Sequence, residues 1–420
     1  MKKTMNEKAP TTGAASRKRG AGPQLFLKPA RERSLRRLHP WVFSGAIDRL
    51  EGEAGSGDTV CVRAADGTFL AWAAYSPASQ IRARVWSFSE AEQPDENLLR
   101  ARVSAAIARR QSVMGDANAL RLVHAESDAL PGVVADRYGD TLVVQLTSAG
   151  AERWRNVIVE SLREASGCKL LFERSDGDVR ALEGLASRVG MLNGEGSAVA
   201  EMKPDVIEIR ENGIRYLVDI GAGQKTGFFL DQRDNRASVA ALARGREVLN
   251  CFCYTGGFTL SAQAGGAASV LSVDSSAPAL TLARRNVALN ALDTARSHWV
   301  EADVFSYLRD LGREGRTFDL IILDPPKFAP TSRDAERAAR GYKDINLNAL
   351  KLLRPGGYLA TFSCSSGVSA DLFQKIVAGA AADAGASCAI EQRFHAAADH
   401  PVMLEFPEGE YLKGLLLRKR

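Results

Sequence analysis

From residue 214 onward, short apolar runs of strand length alternate with longer amphipathic stretches, and this alternation limits the fold more than any other property of the chain. A strand, a helix and a second strand can rejoin one sheet only through a crossover, which makes the strands parallel and puts helices on both faces. The runs at 246–251, 269–274, 297–300, 318–324 and 357–364 are therefore expected as parallel strands of one open sheet. Ligands of such sheets bind outside the carboxyl ends of the strands, so the residues that close each run are the first place to look for chemistry.

The first run opens into Asn250-Cys251-Phe252-Cys253-Tyr254-Thr255-Gly256-Gly257-Phe258, where paired glycines let backbone approach a ligand at a helix N-terminus. The glycines are adjacent and no third follows at the dinucleotide spacing, so the turn is not a G-x-G-x-x-G fingerprint. Residues 221–226 are no P-loop either, because Gln224 stands where glycine must precede Lys225. Asp274 closes the next run, where its carboxylate can accept hydrogen bonds from a ribose diol or cap the following helix. Asp303 follows the third run similarly and would face an adenine edge. A nicotinamide cofactor would share this rim, so the residues beyond it decide.

Beyond it stands Asp324-Pro325-Pro326-Lys327-Phe328, the most specific motif in the chain. Two prolines fix φ and remove donors, leaving Asp324 to hydrogen-bond a planar ring and Phe328 to stack on one. The pattern resembles motif IV of methyltransferases that act on nucleobases. One strand later comes Thr361-Phe362-Ser363-Cys364-Ser365-Ser366-Gly367. If the two strands are neighbours, Asp324 and Cys364 line one pocket. That pairing has a use: thiolate attack on C6 of a pyrimidine breaks its aromaticity and makes C5 able to take a methyl group from a sulfonium. Free cysteines are most often small buried hydrophobes, and this is the expectation for Cys61, Cys168 and Cys388. Cys251 and Cys253 form a C-x-C pair with no second pair or clustered histidine, so no metal is expected. His400 reads equally well as structural or functional, and Lys327 is a weak candidate for the base that removes the C5 proton.

Residues 1–50 hold 12 Lys or Arg against 3 Asp or Glu, which leaves the rest of the chain at −4 within a total of +5. A polyanion is the natural partner of that front end. Residues 1–22 read as a disordered basic tail, whereas Arg31, Arg33, Arg36 and Arg37 surround the first apolar segment and read as functional. Strands at 60–63, 69–75 and 81–86 outline a small β-rich unit over 23–92. A helix over 96–114 and strands at 132–136 and 142–146 begin a central α/β unit over 93–210, ahead of the unit over 211–420. Six scattered cysteines, no secretory signal and no apolar run of membrane-spanning length point to a cytoplasmic protein with no membrane partner.

Together these residues resemble the bacterial 23S ribosomal RNA (cytosine-5)-methyltransferase family with an N-terminal PUA domain. The carriers are His39-Pro40-Trp41-Val42-Phe43, Gly57-Asp58, Glu126-Ser127-Asp128, Leu130-Pro131-Gly132 and Lys225-Thr226-Gly227-Phe228-Phe229-Leu230-Asp231-Gln232-Arg233. The D-P-P-K-F turn, Gly341-Tyr342-Lys343-Asp344-Ile345-Asn346 and the Ser-Cys-Ser segment complete the set. The resemblance implies an α/β protein: a PUA RNA-binding domain, a central α/β domain and a C-terminal Rossmann-like class I methyltransferase domain. It further implies S-adenosylmethionine as cofactor, 23S ribosomal RNA as partner and 5-methylcytosine as product, and leaves a homodimer open. Cys364 would be the nucleophile and Asp324 would serve both cofactor and target. Phe228, Asp231, Arg233, Asn250, Tyr254, Thr255, Gly256, Asp274 and Asp303 would bind the cofactor. Pro325, Pro326, Lys327 and Phe328 would meet the base. Many RNA cytosine-5 enzymes carry a second cysteine where Lys327 stands, so product release must use another group. Two alternatives keep parts of this pattern: an RNA base N-methyltransferase using the same turn, and a non-catalytic ribosome-assembly protein. A nicotinamide oxidoreductase ranks behind both.

Overall fold

The computed structural model describes residues 22–113, 115–192, 206–329 and 334–420. The basic tail expected over 1–22 and the end of the helix expected to reach Met114 lie outside these, apart from Gly22. No helix among the described residues is long and apolar enough to cross a membrane.

Seven strands build the C-terminal sheet: β1 (Glu247–Cys251), β2 (Ser269–Asp274), β3 (Ser297–Glu301), β4 (Phe318–Leu323), β5 (Leu353–Ser363), β6 (Cys388–His395) and β7 (Lys413–Lys419). Their order is β3-β2-β1-β4-β5-β7-β6. The first five are parallel, as the alternation requires, but β7 runs antiparallel to both β5 and β6. The expectation of an all-parallel sheet is corrected there. Residues of β1, β2 and β4 divide between the two faces with period two: Leu249, Leu271 and Ile321 pack on one side, Val248, Val270 and Ile322 on the other. Both faces are thus cores, which is why these strands read as continuous apolar runs. Helices after β2, β3 and β5 start at Ser276, Asp303 and Ser369, whose side chains accept from the backbone three residues on.

Ahead of this sheet, a six-stranded sheet occupies the front of the chain and a five-stranded sheet its middle. The front sheet contains strands Gln24–Leu27, Trp41–Phe43 and Ile47–Glu51 besides the three expected ones. The middle sheet adds Ala119–His124, Leu170–Ser175 and Arg188–Met191. A hairpin of Ile207–Glu211 and Ile214–Val218 joins the middle unit to the last, its Ile209 and Tyr216 packing with Tyr138, Phe228 and Leu260. The motif residues of the front unit form its junction with the others. Trp41 Nε1 donates to Glu126 Oε1 (2.8 Å), the Trp41 ring meets Phe406 edge-on, and His39 Nε2 lies 3.1 Å from Glu408.

Candidate active site

A cleft of about 620 Å³ opens at the carboxyl ends of β1, β4 and β5, the central strands of the sheet. One wall comes from the loop after β1 and the end of β2, with Phe252, Tyr254, Thr255 and Asp274. Asp324, Pro325, Pro326, Lys327 and Cys364 form the opposite wall, and Lys225, Phe228, Phe229, Asp231 and Tyr411 roof it. β4 and β5 are direct neighbours, and the condition for Asp324 and Cys364 to share a pocket is met.

Local structure explains how these side chains arrive. Lys225, Phe252 and Tyr254 line the cleft in left-handed backbone conformations, at φ of 54°, 59° and 49°. Such conformations cost non-glycine residues on the order of 1–3 kcal/mol each and cluster where function over-determines them. Asp274 secures the loop: its Oδ2 accepts from Tyr254 N (2.8 Å) and its Oδ1 from Ser276 N (2.9 Å). Gly256, at φ 84°, starts the following helix where a Cβ would sit 3.2 Å from Trp299 and from the Ala283 methyl. The D-P-P-K-F turn is pinned from β5, because Phe328 N and Ala329 N both donate to Ser365 Oγ at 3.0 Å. Tyr342 OH joins that hydroxyl at 2.9 Å and accepts from Ser363. The Cys364 thiol donates to Pro325 O, with S···O 3.9 Å.

Charge is arranged in pairs. Asp231 Oδ2 accepts from Lys225 Nζ (2.7 Å) and Tyr411 OH (2.6 Å). Burial opposes its ionisation, yet Lys225 and His400 hold it below the usual carboxylate range. Asp324 Oδ1 accepts from Gln232 Nε2 (3.0 Å), and burial followed by the negative Asp231 pushes its pKa up to about 7. Burial also raises the Cys364 thiol, opposed by Lys225 and reinforced by Asp324 and Asp231.

Five residues singled out from the sequence stand back from the cleft. Arg233 is turned away, with Nη2 donating to Asp399 Oδ1 (3.2 Å). Asn250 is buried beneath the loop, its Nδ2 donating to Thr259. Gly256 shapes the loop from behind. Asp303 caps its helix by accepting from Ser306 N (2.9 Å). The Phe328 ring packs between Tyr342 and Phe305, at centroid distances of 4.7 and 5.8 Å, which corrects the expectation of a ring free to stack on a ligand. Lys225 and Gln232 went unmarked as site residues although both sit in the Lys225–Arg233 motif, which was the signal that could have found them. Tyr411 had no such signal. His400 is buried against Asp399 and the His124 ring, as a structural histidine would be. Among the described residues no group of three His, Cys, Asp or Glu could hold a metal ion.

A family model for S-adenosylmethionine-dependent methyltransferases matches residues 196–416, and one for the PUA-like domain matches residues 25–88. Ribosomal RNA large subunit methyltransferase I of Shewanella denitrificans is 51% identical over 94% of this chain and 99% of its own length. Its counterpart in Tolumonas auensis is 49% identical over 94% and 98%. A chain from Streptococcus mutans described as a SAM-dependent methyltransferase superposes with a TM-score of 0.80 at 23% identity, covering 94% of this chain and 99% of that one. A methyltransferase crystallised with SAH superposes at 0.81, with the same identity and coverage. At that identity the two solved structures speak for the fold alone.

Proposed function

Because the chain belongs to the S-adenosylmethionine-dependent ribosomal RNA large subunit methyltransferase I family, we propose that it forms 5-methylcytosine in 23S ribosomal RNA through a covalent bond between Cys364 and C6 of the base. The observation that carries this reading is the Cys364 thiol hydrogen-bonded to the Asp324-Pro325-Pro326 turn inside the cleft. A transferase for an amino or ring nitrogen has no use for a thiol there.

The cleft suits the cofactor. Thr255 Oγ1 and Asp231 Oδ1, on residues that line the cleft, are buried with no hydrogen-bond partner among the described residues, and native proteins rarely leave such atoms unpaired without a ligand or water. Asp274, on the cleft wall, would take the ribose hydroxyls. Asn250, Tyr254, Thr255 and Gly256 would shape the loop against the nucleoside, with Phe228 and Asp231 closing from above and Arg233 bracing that segment. When bound, the cofactor supplies an electrophilic methyl group on its sulfonium.

The rest of the chemistry falls to the protein. The Cys364 thiolate adds to C6, and C5 becomes nucleophilic. Asp324, poised near neutrality by burial and Asp231, steadies the ring at N3 in whichever protonation state the ring requires. Once C5 has taken the methyl group, its proton passes to a base, for which Lys327 on the cleft wall is the candidate; the C5–H electron pair re-forms the C5–C6 double bond and the C6–S bond breaks, returning its pair to Cys364. The base must leave its helical stack to reach the cleft. A groove of about 950 Å³ lined by Arg31, Arg33, Arg37, His39 and Leu404 gives the front unit a place to hold RNA beside the catalytic unit. In this division of labour, residues 23–92 grip RNA, 93–210 brace, and 211–420 carry the reaction, in the cytoplasm.

Incubation of the purified protein with deproteinised 23S ribosomal RNA and labelled cofactor, followed by digestion to nucleosides and mass spectrometry, tests the reading. The label is expected in 5-methylcytidine; recovery in N4-methylcytidine or a methylated purine would overturn it.

A further inference from the structure

The carboxyl of Asp324 stands on the cleft wall and makes one hydrogen bond among the described residues: Oδ1 accepts from Gln232 Nε2 at 3.0 Å. Its Oδ2 has no partner there and is the oxygen left for a ligand. Gln232 is itself held. Its Oε1 accepts from Asn235 Nδ2 (2.6 Å), and the same nitrogen donates to the His395 carbonyl at the end of β6 (2.9 Å). Gln232 and Asn235 are 2% and 4% exposed, so these links are closed to water and each polar atom depends on its neighbour.

The polarity of this chain is fixed at its root. A backbone carbonyl can only accept, so Asn235 must turn its amide nitrogen toward His395, and the second hydrogen of that nitrogen faces Gln232. Gln232 must answer with its oxygen, which puts its own N–H on Asp324. Turning either amide over would set donor against donor or acceptor against acceptor in the interior, where an unpaired group bears its full desolvation penalty. The consequence falls on Asp324. With an N–H pointing at Oδ1, a proton on that same oxygen would clash with it, so the neutral acid carries its proton on Oδ2. Burial and the negative Asp231 favour the neutral form, with a pKa of about 7, while Lys225 and Arg236 oppose it; Cys364 and Tyr342 are the other titratable groups that face this carboxyl.

We infer that Gln232 and Asn235 fix the proton of Asp324 on Oδ2, so that the acid donates to N3 of cytosine. The inference rests on the reading of the cleft as a cytosine-5 site. N3 of cytosine is an acceptor and receives the O–H. Uracil carries a hydrogen on N3 and would set donor against donor, so this polarity selects cytosine. As the sulfur pair of Cys364 forms the S–C6 bond, the C5–C6 π pair moves to C4–C5 and the C4–N3 π pair moves onto N3. N3 takes the proton from Oδ2, and the O–H pair stays on the carboxylate. N3 returns that proton once the thiolate has been expelled. Gln232 and Asn235 act through Asp324 and are positioning residues.

Infrared difference spectra of the full-length protein, taken either side of neutrality, contain the C=O stretch of protonated Asp324; subtraction of the Asp324→Asn spectrum isolates it. In the wild type the carbonyl oxygen is Oδ1, held by Gln232, and its band should lie at the low frequency of a hydrogen-bonded carbonyl. Gln232→Met removes the donor and should move the band up. Asn235→Asp touches neither Asp324 nor the cleft, yet its neutral carboxyl donates to His395 and faces Gln232 with an oxygen. Gln232 must then turn over and offer its own oxygen to Asp324, and the band should move up as well. Both variants should lower kcat for methyl transfer to a 23S ribosomal RNA transcript about tenfold or more, with the cofactor KM within about threefold. An unmoved band in Gln232→Met overturns the inference. A band that moves there but not in Asn235→Asp also overturns it, because Gln232 would then be a donor whose direction Asn235 does not set. Shifted bands with wild-type kcat would remove the chain from the reaction. Wild-type product other than 5-methylcytidine would instead strike the cytosine reading, which the infrared band does not report. Melting temperature shows whether each variant folds; if Asn235→Asp does not, Asn235→Leu, which frees Gln232 to turn, takes its place and must move the band.

Discussion

Burial pushes Asp324 from 3.8 to about 7 and lifts the Cys364 thiol above its ordinary 9.0, so both groups are biased toward their protonated forms at rest. A nucleophile that acts by covalent addition cannot be replaced by an apolar group. Cys364→Ala should lower methyl transfer more than about 10³-fold. Cofactor affinity, measured by calorimetry, should stay within about twofold. Retained transfer in that variant would remove the thiol from the mechanism. Asp324 makes a separate prediction about stability. Its folded pKa is raised, so its contribution is fully present below the unfolded value near 3.8 and is lost as pH rises through about 7. A shift of this size corresponds to a ceiling of about 4 kcal/mol. Asp324→Asn should therefore melt higher than wild type at pH 8 and nearly alike at pH 4, and equal melting temperatures at both would refute the shift. Asp324 and Cys364 were visible in the sequence because each closes an apolar run in a sheet whose neighbours follow from the alternation. The contacts of Gln232 with Asp324 and of Tyr411 with Asp231 were not: each joins distant parts of the chain, and no spacing rule encodes such a contact.

Two elements meet at the catalytic turn, and a single hydroxyl joins them. Ser365, just past β5, accepts from the Phe328 and Ala329 amides of the turn after β4. Ser365→Ala would leave both donors unpaired in a region closed to water, at about 1–3 kcal/mol each. The expected result is a lower melting temperature and a kcat loss larger than any change in KM for the cofactor, because Asp274 and the β1 loop are untouched. A cofactor KM that rises while kcat holds would contradict this account of the turn. The five parallel strands of this sheet were legible because apolar runs separated by helical stretches leave few topologies. The antiparallel β7 was not, since Leu415-Leu416-Leu417 is a continuous run that periodicity cannot assign to strand or buried helix. Strands of three or four residues, such as Trp41–Phe43 and Gln24–Leu27, are too short to show a period at all. Asp303 reads as a helix cap and as a rim carboxylate for the same reason, because both roles place an acid at a strand's end.

At the scale of the whole chain, the front unit is fastened to the rest by charge and aromatic contacts. Arg84 reaches Glu126 (2.9 Å) and Glu183 (3.1 Å), Trp41 donates to Glu126, and Phe406 comes from the catalytic unit to meet Trp41. Removing one member of a buried ion pair typically costs about 3–5 kcal/mol, so these contacts set the front unit in a defined place rather than on a loose tether. The exposed Arg33 and Arg37 thereby stand at a fixed position in a groove whose other bank, Leu404 and Pro407, belongs to the catalytic unit. If RNA runs through this groove, each phosphate contact removed should reduce the slope of log affinity against log salt by about 0.7 to 0.9. Arg33→Ala/Arg37→Ala should therefore bind a 23S ribosomal RNA fragment more weakly at low salt and approach wild type as salt rises. Cofactor affinity should not change, because Asp274 and the β1 loop lie in the other unit. Fluorescence anisotropy on the Cys364→Ser background isolates binding from any covalent step. A salt slope unchanged by the double substitution would place the RNA elsewhere and leave the arginines as a solvated face; a reduced slope with intact cofactor binding would tie the basic front end to the substrate that the cleft is built to methylate.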